Sequence, residues 1–224
     1  MTIKGKAIEM KKQIVLVGAG GHCKVVVDTI MAAGEYEIVG IVSRAPGEKD
    51  VLEKKIIGND SKLPEIFKAG CTKAFIAVGG LGNPGIRVKL DEHLKHIGFS
   101  LPVIKHPAAY VSGSARVGEG TFIAAGAVIQ PGSVIGRNCI INTNSSVDHD
   151  CEVGDFAHIS PGAALSGGIK IGARTHIGTG TSVIEAKTIG ADAVIGAGSV
   201  VVTDIPAGSK AYGNPCRVVG ENNG

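Results

Sequence analysis

From Val111 to Val201 an aliphatic residue stands at every sixth position: Val111, Val117, Ile123, Ile129, Ile135, Ile141, Val147, Val153, Ile159, Leu165, Ile171, Ile177, Val183, Ile189, Ile195 and Val201. Four residues after most of these the side chain is small, as at Ala115, Thr121, Ala127, Ser133, Cys139, Ser145, Cys151 and Ala157. A period of six fits neither the helical repeat of 3.6 nor the alternation of a sandwich strand, and it marks a parallel β-helix of hexapeptide repeats. Each hexad makes one flat side of a prism, with its aliphatic residue pointing inward and the small residue packed beside it. Gly118, Gly136, Gly154, Gly172, Gly190 and Gly196 follow aliphatic positions directly. They are expected at the tight corners, where a residue without Cβ turns easily.

The preceding part of the chain has a different organisation. Gln13–Val17 is an apolar run ending in Gly18-Ala-Gly20-Gly21-His22, and a helical pattern follows to Gly34. Strand patterns cover 38–42 and 74–78, helical patterns 63–68 and 86–97, and a last apolar strand 101–104. Alternating β and α segments with glycine turns at strand ends predict a small parallel α/β sheet, Rossmann-like in layout. The expected division is a disordered extension over 1–11, the α/β domain over 12–107, the β-helix over 108–206 and a tail over 207–224.

Charge divides near the same point. Residues 1–107 carry 16 Lys and Arg against 11 Asp and Glu, while the remainder carries 7 against 9. The positive bias suits a phosphate-bearing ligand, but it is scattered and lacks interleaved aromatics, which argues against nucleic acid. The five cysteines (Cys23, Cys71, Cys139, Cys151, Cys216) form no CxxC pair. Cys139 and Cys151 fill the small inward slot, so a reducing, cytoplasmic setting is expected. No apolar stretch is long enough to span a membrane, and no secretory leader is read at the N-terminus.

In an α/β sheet the turn after the first strand, at a helix N-terminus, is where a phosphate binds. Here the glycine pattern begins as G-x-G but has Cys23 at the third position, and Ser43-Arg44 stands where a ribose-binding acid belongs. Three readings stay open: a nicotinamide dinucleotide whose 2′-phosphate meets Arg44, a turn that merely joins strand and helix, and a nucleotide-linked ligand held by backbone N–H groups around Gly20–His22. His22 either donates to such a ligand or caps the helix. Lys24, Asn83 and Arg87 are weaker candidates for the same ligand, read first as surface residues.

Three hexads make one coil, so residues eighteen apart stack. His158 and His176 therefore lie one above the other, whereas His149 belongs to another side and has Gly167 above it. Asp148 and Asp150 flank His149. A carboxylate beside an imidazole fixes its tautomer and raises its basicity, as a general base requires; a solvated charged corner is the plainer alternative. Zinc is not expected, because the gaps of nine and eighteen residues lack the close histidine pair of prism-shaped metalloenzymes.

With Gly18-Ala-Gly-Gly-His22 ahead of the hexads, Asn142-Thr-Asn-Ser-Ser-Val-Asp-His149-Asp150 within them, and Gly213-Asn-Pro-Cys-Arg217 near the end, residues 12–219 resemble the bacillosamine-pathway (PglD-like) sugar N-acetyltransferases. Perosamine N-acetyltransferases and sialic acid O-acetyltransferases are relatives of the same layout. The resemblance implies a left-handed β-helix, a homotrimer with active sites between subunits, and acetyl-CoA as co-substrate. It also implies a UDP-linked 4-amino-4,6-dideoxy sugar as acceptor. It casts His149 as general base and Asp150, often Glu in the family, as the group that raises its basicity. It assigns His158, Gly167, Thr179 and Ala197 to acetyl-CoA, and Gly20, Gly21, His22 and Asn142 to the acceptor. Ser43-Arg44 departs from the acidic residues of the bacillosamine enzymes, and His176 has no assigned part. Sugar O-acetylation and a non-catalytic nucleotide-sugar-binding module are the alternative functions.

Overall fold

The computed structural model describes residues 11–44, 50–80 and 82–222; the extension expected over 1–11 lies almost wholly outside them. Strand β1 (Lys12–Val17) leads into helix α1 (Gly21–Ala33), then β2 (Tyr36–Val42), β3 (Ile56–Gly58), α2 (Leu63–Lys68), β4 (Ala74–Ile76) and α3 (Gly85–Ile97). The four strands form a parallel sheet in the order β3-β2-β1-β4. β-Branched residues dominate β1 and β2, which suits buried strands of a parallel sheet. Gly18 closes β1 with φ +106°, and a Cβ there would stand 2.5 Å from Val78 Cγ2, so both its backbone angle and its surroundings call for glycine. Helix α1 stops at Gly34, a left-handed cap whose N–H donates to Ile30 O.

The sheet is covered on both faces. Ile14, Leu16 and Phe75 pack with Val26, Val27 and Ile30 of α1, and this cluster continues into Phe122 and Ile140 of the β-helix. Val15, Val17 and Ile76 pack with Leu63, Leu90 and Leu94 of α2 and α3. Burying each such side chain contributes on the order of 1.5–3 kcal/mol, so the α/β unit is fastened to the prism by apolar packing as well as by the chain.

The hexads form three parallel sheets in which each two-residue strand pairs with the strand eighteen residues later, as in Ile140↔His158 and His158↔His176. Every sixth-position aliphatic residue from Ile123 to Val201 is buried in one continuous core. The small inward residues add polar links between coils: Thr121 Oγ1 donates to Gly136 O at 2.9 Å, and Ser133 Oγ to Asp148 O at 2.6 Å. The face carrying Phe122, Ile140 and His158 lies under the α/β unit and is buried. A second face presents Arg116, Val134, Glu152, Lys170 and Thr188, and the third presents Tyr110, Val128, Ser146, Ala164, Ser182 and Val200, without a charge.

Three expectations change. The corner residues with positive φ lie three positions after the aliphatic one, at Gly120 and Asn138 for example, and Asp150 (φ +56°) is among them. Gly118 and its equivalents serve coil stacking instead, since a Cβ on Gly118 would come within 2.6 Å of the backbone of Gly136 and Arg137 in the next coil. The last apolar strand is Ile104–Lys105, and it pairs with Phe122–Ile123, so it is a rung of the prism and no part of the α/β sheet. The tail is not separate either: Ser209–Gly213 extends the prism sheet beside Val194–Ile195, and Cys216–Glu221 returns antiparallel to it. Among the described residues no helix is long and apolar enough to cross a membrane.

Candidate functional site

A cavity of about 900 Å³ opens between the α/β unit and the prism. Gly20, Gly21 and His22 line it from the turn after β1, Ser43, Arg44 and Asp60 from beyond β2, and Asn142, Thr143, His158 and Pro161 from the prism. All four residues expected to hold the acceptor are therefore together. They meet at the carboxyl ends of the strands, where α/β sheets bind ligands.

His158 links the two halves. Its Nδ1 lies 2.8 Å from Gly80 O, so that nitrogen carries the proton, and its Nε2 accepts from Asn142 Nδ2 at 3.1 Å. Asn142 Oδ1 accepts from Thr143 N–H at 2.8 Å, which fixes the amide's orientation. Burial first, opposed by the Gly80 bond, pushes the His158 pKa down to about 4. His22 is lowered to about 3, by burial and then by Arg87 and His158, and its ring stands edge-on to Phe122 at 5.1 Å. Both rings are neutral at physiological pH. Lys24 and Asn83 are exposed as expected. Arg87 is not: its residue is 3% exposed, folded between α3 and the prism.

Thr143, Pro161, Thr179 and Ala197 form one column along the corner of the prism, held by Gly162 N→Thr143 O, Gly180 N→Pro161 O and Gly198 N→Thr179 O bonds of 2.8–3.0 Å. Thr179 and Ala197 are exposed and stand in the same column as Thr143 and Pro161, which line the cavity. Gly167 does not share this column. It belongs with His149 to the next corner, where Gly168 N donates to His149 O at 2.9 Å.

At that second corner His149 Nδ1 is 2.9 Å from Asp150 Oδ2, and Asp148 Oδ1 accepts the His149 backbone N–H at 2.7 Å. The Asp150 hydrogen bond, ahead of a small opposing burial effect and the charges of Asp148 and Asp150, raises the His149 pKa above 6.5. The bond places the proton on Nδ1 and leaves the Nε2 lone pair open. The side chain is 63% exposed and lies outside the lining of the large cavity. The geometry thus divides the expected residues between two corners: the cavity, with the Thr179 and Ala197 column, on one, and a carboxylate-backed imidazole under Gly167 on the other. Arg44 and Asp60, whose Nε–Oδ2 separation is 2.5 Å at the cavity rim, form a pair that sequence reasoning left unjoined because sixteen residues separate them.

Comparison with known proteins bears on the two-part fold. Residues 13–94 match the PglD N-terminal domain family, and residues 114–149 and 132–167 match the bacterial transferase hexapeptide (six repeats) family. GDP-perosamine N-acetyltransferase of Escherichia coli O157:H7 is 34% identical over 120 residues, 53% of this chain and 54% of that protein, so the match spans about half the length of this curated relative. A histidine-to-asparagine variant of perosamine N-acetyltransferase from Caulobacter crescentus, in complex with CoA and GDP-perosamine, superposes with a TM-score of 0.89 at 40% identity. It covers 96% of this chain and 99% of that one. The acetyltransferase domain of PglB from Neisseria gonorrhoeae, in complex with acetyl coenzyme A, gives 0.84 at 40% identity over 94% and 100%. An α/β unit with a glycine turn, joined to a hexapeptide prism and matching these structures over nearly its whole length, belongs to the PglD-like family of acetyl-CoA-dependent sugar N-acetyltransferases.

Proposed function

We propose that this protein moves the acetyl group of acetyl-CoA to the amino group of a nucleotide-linked amino sugar, in a homotrimer whose active sites lie between chains. The observation that carries the reading is the division of the site residues between two corners of one prism. Neither half is complete alone: the cavity lacks an exposed base, and His149 lacks an acceptor pocket. Closed three-fold association apposes the two corners of neighbouring prisms and covers flat faces that one chain leaves open. The uncharged face suits that contact.

In this reading the acceptor enters through the glycine turn, its phosphates toward the N–H groups at the start of α1. The coenzyme arm follows the Thr143–Pro161–Thr179–Ala197 corner. His149 of a neighbouring prism takes the proton from the amine on Nε2 as the nitrogen attacks the thioester carbonyl. The new C–N bond forms, the C–S bond breaks, and the coenzyme leaves as its thiol after protonation. Asp150 steadies the imidazolium, and the Gly167 N–H stabilises the oxyanion.

Arg44 and Asp60 favour GDP over the UDP carrier expected from the bacillosamine resemblance. Guanine offers a carboxylate two adjacent donors, its ring N–H and exocyclic amine, and offers a guanidinium O6 and N7. Uracil has one ring N–H between two carbonyls. The test is thiol release from acetyl-CoA against GDP- and UDP-linked 4-amino-4,6-dideoxy sugars, with mass determined by light scattering. Turnover with the GDP sugar by a trimer is expected. Absence of thiol release with every amino sugar, or a fully active monomer, overturns the proposal.

A further inference from the structure

Below the acceptor cavity, a separate small cavity of about 10 Å³ is lined by Gly80, Gly82, Asn83, Pro84, Arg87, Phe156, His158, Arg174, Thr175 and His176. Its volume leaves room for one small particle and for no polyatomic anion. Three independent features make it electropositive. Arg87 is 3% exposed, and among the described residues its Nε and Nη1 have no hydrogen-bond partner, while Nη2 donates to Asn138 O. His176 Nδ1 is likewise buried without a partner among the described residues, while its Nε2 lies 3.5 Å from Ser160 Oγ; in the tautomer where that hydroxyl donates, the proton stands on Nδ1 and is free to meet an anion. Pro84 caps α3, a helix of 13 residues with no acidic side chain in its first turn, so the positive end of the helix dipole also faces this region.

The nearby carboxylates are already committed. Asp91 accepts from Asn138 and pairs with Arg137 and Lys95, Asp155 pairs with Arg137, and Asp192 pairs with Arg174. Among the described residues Arg87 has no ion-pair partner, and a buried cation without one is costly. Orphaned buried donors of this kind point to an unseen water or ion.

We propose that this cavity is a binding site for one monatomic anion, a chloride ion, held by the Arg87 guanidinium and His176 Nδ1–H at the N-terminus of α3. Phosphate and carboxylates are too large for it. The ion neutralises Arg87 and ties α3 to the His158–His176 stack, whose rings meet edge-to-face at 4.9 Å. It therefore braces the Gly80 carbonyl that orients His158.

Crystals of the full chain grown in sodium bromide test the site directly: an anomalous peak between Arg87 and His176 is expected, and a water without anomalous signal there overturns the proposal. In solution, melting is compared in sodium chloride and sodium gluconate at matched ionic strength, gluconate being too large to enter. Chloride is expected to raise the midpoint by roughly 2–4 °C, as saturating a ligand site does in a chain of this size. Arg87→Met should abolish the difference. If that variant does not fold, His176→Leu, which removes only the second donor, should reduce it. Equal melting of the unsubstituted protein in both salts overturns the site.

Discussion

A methyl group placed on Gly167 would stand 2.5 Å from Nε2 of His149 and 2.6 Å from its Cε1. The glycine above the imidazole thus keeps open the nitrogen that Asp150 leaves unprotonated. Gly167→Ala must push the ring aside or tilt it away from Asp150, and an error of about 1 Å in a reacting group can cost 10²-fold. The expected outcome is a kcat fall of roughly that size with little change in melting, since Gly167 is half-exposed. Kinetics near those of the unsubstituted protein would show that Nε2 is not the working atom.

Removing the proposed base gives a sharper result. His149→Ala is expected to lower kcat by about 10²–10⁴-fold, the usual contribution of general base catalysis, while leaving acceptor binding nearly intact because the acceptor cavity lies elsewhere. Single-turnover acetylation and isothermal titration with the nucleotide sugar separate the two effects. A parallel loss of binding would place His149 in recognition rather than proton transfer.

In the proposed mechanism Asp150 sets the pH dependence. The base works only when neutral, and Asp150 stabilises its protonated form, so kcat/KM should rise through a pKa above 6.5. Asp150→Asn removes the carboxylate, lowers that pKa, and moves the acidic limb to lower pH. Its plateau should also fall, because the imidazolium formed during proton transfer is less well stabilised. A limb that stays in place assigns the observed titration to another group.

Much of this geometry was legible in the hexad count. A period of six with three hexads per coil places Thr143, Pro161, Thr179 and Ala197 in one column and His149 with Gly167 in another, and the strand pairings carry the same eighteen-residue interval. The periodicity could not show which glycines turn the corners, because φ depends on position within the turn while coil stacking depends on the neighbouring coil. It could not assign Ile104 to the prism, since Leu101–Ile104 reads as an ordinary apolar strand. Contacts between the two units were least visible. The Gly80–His158 bond spans 78 residues, and Arg87 reads as a polar helix position until α3 is docked on Asn138. Docking of preformed units leaves no local periodic signature in either.

The docking itself is testable through Asp91. Its carboxylate is almost wholly buried and accepts from Asn138 Nδ2 at 2.8 Å, with Lys95 Nζ at 3.2 Å and Arg137 Nη1 at 3.3 Å. Asp91→Ala strands the buried Asn138 amide, a loss on the order of 1–3 kcal/mol, while the half-exposed Lys95 and Arg137 keep their other carboxylates. Asp91→Asn keeps an acceptor for Asn138, while Lys95 and Arg137 retain Glu119 and Asp155, so its cost should be near that of a single hydrogen bond, about 1 kcal/mol. Ile86 and Leu90 of α3 line the same cavity as Asn142 and Thr143, the proposed acceptor site, so loosening α3 should raise KM for the nucleotide sugar before it lowers kcat. Urea titration and steady-state kinetics on both variants check this order. An Asp91→Ala protein as stable as the unsubstituted one would mean that apolar packing around Phe122 and Ile140 alone holds the α/β unit on the prism.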